Sequence, residues 1–306
     1  MGIPVKVFRS TDTDAPKIAG GRGDVKMVLK ACLVSGYGSG DKRKEPLGWE
    51  IVAGTETADG FGCAFRPTAI DSAKNIIQIS GVNTTSISLT AYFDTDVSGA
   101  LINASPTMPN LPTWRSGGCE WLLVGHHKSF ILVIRPLASL VNGEPAGAQG
   151  STLFFGELTD RVNNTRANTL LMRFGGGGTD FSGVFNPISD LWVGKYSFIS
   201  ASVDGNTKWA TAIPNSLFKT LIVGYSPINS ECIYTKLAIA QGGAFRGYLP
   251  FGYSVHHRLA GSENFTQKII DGKKHLLCNL TPGSTAFSNW GENTMFYLIN
   301  LEEWDA

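Results

Sequence analysis

Two histidine pairs, His126-His127 and His256-His257, are the first groups in this chain with chemistry to offer. A metal site needs ligands that converge, and neighbours in a strand point to opposite faces. The first pair falls at the expected tip of a hairpin and the second closes an expected strand. No cysteine or carboxylate is spaced to complete a ligand set around either, so local hydrogen bonding is the reading and no metal is expected. Asp94-Thr95-Asp96-Val97-Ser98-Gly99 mimics the front half of a calcium loop. Ser105 stands where the closing bidentate glutamate belongs, and strands flank the segment; an Asx-rich turn explains the same residues. Asp12 and Asp14 form an acidic pair ahead of Pro16, on extended or turning backbone. Paired carboxylates do acid–base work only when a fold sets their separation, and the expectation here is a structural loop. Gly175 to Gly178 lacks the Lys-Ser/Thr of a phosphate-cradling loop and leads into no helix. No Gly-x-Ser-x-Gly elbow occurs. No catalytic, cofactor-binding or metal-binding residue is therefore assigned, and no cofactor is expected.

The aromatic run 245–257, "FRGYLPFGYSVHH", is the other chemical feature. Phe245, Tyr248, Phe251 and Tyr253 sit among Gly247 and Gly252. Aromatic residues near glycines in a β-protein form core, a subunit interface or a platform for stacking sugars. All three readings stay open, and Tyr248, Phe251 and Tyr253 are the candidate interface or glycan contacts.

The elements that must position these groups are strands, with one exception. Val25, Val28, Leu29, Cys32 and Leu33 lie on one face of a helix over 24–36. Asp24 is placed to cap its first turn and Gly36 to end it. That gives Asp24 of the Arg22-Gly23-Asp24 triplet a structural task and argues against adhesion. Elsewhere the period is two: Ile87, Leu89, Ala91 and Phe93 alternate with Ser86, Ser88, Thr90 and Tyr92. Residues 120–135 read as a hairpin around a Gly-His-His-Lys link. Residues 268–278 read as another, turning on Asp271-Gly272 in type I′ geometry. Further strands are expected near 49–53, 61–66, 75–82, 151–158, 169–174, 191–203, 220–225, 232–241, 245–256 and 294–300. Residues 103–118 and 159–168 read as loops, and the second is a domain boundary. The expectation is an all-β protein, mainly antiparallel and sandwich- or barrel-like, with one short N-terminal helix. An N-terminal β-rich part, 1–160, would carry the helix, and a C-terminal β-sandwich-like part would cover 161–306. No βαβ rhythm supports a parallel fold.

The totals narrow the function classes. The chain has 306 residues and a net charge of +1, which argues against nonspecific binding to phosphate backbones. The one basic cluster, Asp41-Lys42-Arg43-Lys44, reads as a solvated loop. Cys32, Cys63, Cys119, Cys232 and Cys278 are odd in number, widely spaced and without C-x-x-C, so buried thiols are expected rather than zinc or a disulfide framework. The start Met-Gly-Ile-Pro-Val-Lys does not read as a signal peptide, and no apolar run suits a membrane span. Cytoplasmic synthesis follows as an expectation. The Asn-x-Ser/Thr triplets at Asn83, Asn103, Asn163, Asn264 and Asn279 are then chance.

The opening "VKVFRSTDTDAP", then "VLKACLVSGYG" and "PLGWEIVAGT", resembles virion structural proteins of tailed bacteriophages and prophages. These often begin "VFRSTDTGAP", with "ACLV-GYG" and "GW" following. "FRGYLPFGYSVHH" is similar to a C-terminal segment of the same family. The clear match covers about the first fifty residues, and this chain departs from it at Asp14, where glycine is frequent, and at Gly20-Gly21-Arg22-Gly23. The resemblance implies a virion component, tail, baseplate or neck associated, that assembles with other virion proteins and copies of itself. It also implies that the first residues form an anchoring arm docking on a neighbour. A host-glycan-binding tail module is the alternative. A head-surface decoration protein and a polysaccharide depolymerase are further readings, the last with Asp94, Asp96 and Glu157 as nominal carboxylates.

Overall fold

The computed structural model describes residues 2–57, 60–81, 87–111, 118–136, 140–141, 144–145, 151–159, 169–175, 197–203, 206–211, 213–215, 233–241, 244–256, 266–279 and 295–305. Antiparallel sheets make up most of it, with a single short helix. A seven-stranded sheet lies at the centre. Its strands run, in spatial order, Asn206–Thr211, Ser197–Val203, Thr169–Gly175, Ser151–Glu157, Ser129–Pro136, Cys119–His126 and Lys6–Arg9. An N-terminal sheet orders Trp49–Glu56, Phe61–Pro67, Ile76–Gly81, Ile87–Thr95 and Leu101–Ala104, with Met108–Leu111 also pairing to Ile87–Thr95. A C-terminal sheet orders Ile213–Asn215, Ile233–Gln241, Ala244–His256, Met295–Asn300, Lys273–Asn279 and Gln267–Ile270.

The central sheet is apolar on both faces. Phe130, Leu132, Ile134, Leu153, Phe155 and Leu171 join one core with Phe65, Ile77, Ile79 and Leu89 of the N-terminal sheet. The alternate residues, Ile131, Val133, Phe154, Leu170, Met172 and Ile199, join a second core with Ile239, Leu249, Phe251, Ile299 and Trp304. This explains why residues 120–135 read as unbroken apolar runs: a strand covered on both sides has no wet face to mark with polar residues. Three packed layers of sheet result.

The helical face is as expected. Val25, Val28, Leu29, Cys32 and Leu33 are all fully buried in the first core. The α-helix itself is shorter, Asp24–Lys30, and continues as one π turn, Ala31–Ser35, before Gly36 at φ 69°. Asp24 does not cap the first turn. Its carboxylate reaches backwards and accepts from the N–H groups of Ala19 and Gly21, both at 2.8 Å. The Asp271-Gly272 turn has φ 50° and 76°, the two positive angles a type I′ hairpin needs.

Three further points differ from, or bear on, the sequence reading. Residues 103–118 are not all loop, because Met108–Leu111 is a strand with Met108 fully buried. Among the described residues this strand pairs with Ile87–Thr95 alone. Residues 3–9, expected to reach out as an arm, are paired within the chain: Ile3–Pro4 with Glu303–Trp304, and Lys6–Arg9 with Cys119–His126. The position between 160 and 161, read as a domain boundary, lies between strands of one sheet, with Glu157 paired to Thr169. Residues 160–168 lie outside the described residues, as does the expected strand 220–225.

Candidate functional site

The aromatic strand Ala244–His256 carries two irregularities against Ile233–Gln241. Lys236 pairs with Tyr253, yet Ala238 pairs with Tyr248, so residues 249–252 bulge out opposite residue 237 alone. The bulge drives Leu249 and Phe251 into the second core, where Phe251 is 1% exposed and packs against Phe154 and Trp304. Phe251 is thus a core residue, and its ring is not available for surface contact. The glycines of this strand permit the excursion. Gly252 has φ 145°, and a Cβ there would stand 1.9 Å from the carbonyl oxygen of Leu298. Gly247 has φ 148°, and a Cβ there would stand 2.6 Å from the carbonyl oxygen of Thr159. That close approach belongs to an antiparallel bridge in which Thr159 and Tyr248 exchange N–H···O bonds at 3.0 and 2.9 Å, tying the C-terminal sheet to the central one.

The bulge also rephases the strand. Tyr248 and Tyr253 are five residues apart, which in a regular strand puts them on opposite faces. Here they oppose Ala238 and Lys236, two residues apart on the neighbouring strand and so on one face. Both are partly exposed. The Phe245 ring lies 4.9 Å from that of Tyr248 at 59°, and the Lys236 ammonium lies 5.9 Å from the Tyr248 centroid. Lys236 Nζ is 2.6 Å from Asp305 Oδ2. Aromatic faces beside an exposed ion pair are suited to a ligand or partner with both an apolar face and hydroxyl or charged groups.

A second cluster closes the turn end of the hairpin Cys119–His126 and Ser129–Pro136. Only His127 and Lys128 form the turn; His126 is a strand residue and 5% exposed. Its Nδ1 accepts from the Lys128 N–H at 3.1 Å, while Nε2 has no hydrogen-bond partner among the described residues. Burial, with His127 and Lys128 adding to it, pushes the His126 imidazole down to about 3. The segment leading into Ile76–Gly81 lies across this end. Asp71 meets Lys128 at 2.6 Å and His127 at 3.6 Å, the Ala73 N–H donates to Glu157 Oε1 at 2.6 Å, and Asn75 donates to Ser200 Oγ at 3.3 Å. The Lys128 hydrogen bond, foremost, holds the Asp71 carboxyl below its usual range. Ser129 Oγ accepts from the Glu157 N–H at 2.9 Å. These groups fasten the N-terminal sheet to the central sheet.

The remaining candidates are dispersed. Asp12 Oδ2 accepts from the Arg9 N–H at 2.8 Å and the Tyr37 hydroxyl at 2.7 Å, with Lys44 at 3.6 Å. Lys44 also donates to the carbonyl of Val7 at 3.2 Å. Asp14 has φ 59°, in the left-handed region that glycine favours. Asp96 Oδ1 accepts from the Ser98 N–H and hydroxyl and the Ala100 N–H at 2.8, 2.6 and 2.9 Å, an Asx turn. Asp94 lies 3.8 Å from Arg66. Arg22 donates to the carbonyls of Thr57 and Gly60. Cys32, Cys63, Cys119 and Cys278 are buried thiols, and burial first of all raises Cys119 to about 11. Cys232, His257, Asn83, Asn163, Asn264 and residues 176–178 lie outside the described residues. Among the described residues no three His, Cys, Asp or Glu are grouped to hold a metal ion, and no helix is long and apolar enough to cross a membrane.

What sequence reasoning missed here is the grouping. Lys236 and Asp305 carry no motif, and the parity of Tyr248 and Tyr253 pointed the wrong way. The one signal was the pair of glycines flanking the bulge. No protein-family model matches this chain, and no curated protein does either.

Proposed function

We propose that this chain is a structural component of a tailed-bacteriophage or prophage virion, tail, baseplate or neck associated. It acts by packing against other virion proteins and copies of itself, with no catalysis and no cofactor, after synthesis in the host cytoplasm. The N-terminal resemblance suggests the setting. The observation that carries the non-catalytic reading is the use made of the reactive side chains. Asp12, Asp96 and Glu157 each hold backbone N–H groups at separate places in the fold. A depolymerase needs two carboxylates working on one bond. The test is mass spectrometry and cryo-EM of purified particles from a strain carrying the gene. The chain is expected at a stoichiometric copy number with density assigned to it; its absence from intact particles sinks the proposal.

A host-glycan-binding role is the second reading, favoured by Tyr248 and Tyr253 sharing a face with Lys236 and Phe245. On a glycan array the purified chain would then give a signal that falls at least tenfold on Tyr248→Ala. An array with no signal removes this reading and leaves the first standing.

A further inference from the structure

The two ends of the chain meet at His126. Ile3 and Pro4 pair with Trp304 and Glu303, and the Val5 N–H donates to the Glu302 carbonyl at 3.0 Å. Lys6–Arg9 follows directly along the Cys119–His126 strand, with Lys6 opposite Gly125. From the other end, Trp304 is 1% exposed, with its indole N–H donating to the Asn300 carbonyl at 2.9 Å. Its ring meets His126 edge to face at 5.4 Å and Phe251 at 6.0 Å. Val5 and Val7 pack against the same core. The His126 ring is therefore part of the floor on which the C-terminal tryptophan and, through it, the N-terminal residues rest.

We propose that His126 is the pin of a latch between residues 2–9 and 298–305: uncharged, it seats Trp304 and keeps the two segments paired; on taking up a proton it expels Trp304 and parts them while the sheets stay folded. The geometry supplies the mechanism. Nδ1 accepts the Lys128 N–H, so the ring's single proton sits on Nε2. A second proton must go to Nδ1, which breaks that hydrogen bond, sets two donors against each other and leaves a buried cation. The groups facing it offer little relief. From the turn come His127 and Lys128, both opposing the charge. From the segment before Ile76–Gly81 comes Asp71, which favours it but is engaged by Lys128 at 2.6 Å. From the C-terminal strand, Glu303 pairs with Lys273 and Asp305 with Lys236. Phe251 is neutral.

The sign follows. The closed latch holds the imidazole depressed to about 3, and release returns it toward the ordinary 6.5. Above the ordinary value the latch is unaffected. Below it, each unit fall in pH multiplies the open-to-closed ratio by about ten, until the depressed value is reached. The test is hydrogen–deuterium exchange of the full chain from pH 7.5 to 4, corrected for intrinsic rates, read on peptides covering 2–9 and 298–305 and on the helix 24–30 as internal control. The end peptides should lose protection about tenfold per pH unit below 6.5 while the helix keeps its own. In His126→Gln, whose side-chain oxygen still accepts from the Lys128 N–H, the end peptides should show a flat profile. In Trp304→Ala they should exchange fast at every pH. End peptides protected down to pH 4 in the wild type overturn the latch, as do an equal slope in His126→Gln and loss of protection in ends and helix together. Should His126→Gln not fold, a pH-dependent end exchange in Trp304→Ala overturns it instead.

Discussion

Asp12 shows how a residue that reads as a candidate acid becomes a structural part. The strand Lys6–Arg9 is an edge of the central sheet, and its outward backbone groups would be open to another chain. Asp12 takes the outward N–H of Arg9, and Lys44 donates to the outward carbonyl of Val7. The polar opening of the chain thus seals its own sheet edge. Asp12 also holds the Tyr37 hydroxyl, and this bond, with burial as the larger cause, raises the phenol well above its ordinary range. We expect Asp12→Ala to cost about 2–3 kcal/mol, since it strands a backbone donor and a half-buried hydroxyl. Urea denaturation measures this; a loss below 0.5 kcal/mol, as expected of an exposed loop residue, would contradict it. Asp24 teaches the same lesson in reverse: its type and position suited a cap, but the close return of residues 19–21 offered its carboxylate nearer donors.

For the elements, the decisive feature is a central sheet buried on both faces. Ile131 and Leu132 are neighbours on one strand and both fully buried, one in each core. Each change to alanine should cost about 2–5 kcal/mol. In a strand with one wet face, one of the two would be nearly neutral, so paired thermal or urea melts of the two variants distinguish the arrangements. The bulged strand gives a second expectation. Gly252→Ala forces a Cβ onto the Leu298 carbonyl in a backbone conformation that disfavours side chains. A loss of about 2–4 kcal/mol should accompany it. A variant as stable as the wild type would mean that the bulge is not built as described.

The whole molecule is joined by its central sheet, which draws strands from both sides of residue 160 and contributes to both cores. Separate fragments 1–160 and 161–306 would each carry a torn sheet edge and an uncovered core. Neither should give a cooperative melt alone, whereas the intact chain should melt in a single calorimetric transition. Two independent folded fragments would refute this account.

Much of this was legible in the residues alone. The helical stripe Val25 to Leu33, the alternation at 87–93, the hairpin at Asp271-Gly272 and the Asx turn at Asp96 rest on spacing and local chemistry that short-range sterics enforce. The rest needed partners distant in sequence. Nothing local tells Phe251 that it faces core while Tyr248 and Tyr253 face outward, because a bulge shifts the phase and only the opposing strand reveals it. Nothing local tells His126 that Trp304 will lie on it from the far end of the chain, or the first residues that they will pair with the last. Local pattern determined the helix, most of the longer strands and the hairpins between neighbours; the closing of the first residues onto Cys119–His126 and Glu303–Trp304, and the stacking of the sheets that buries each reactive group, were decided by contacts between segments distant in sequence.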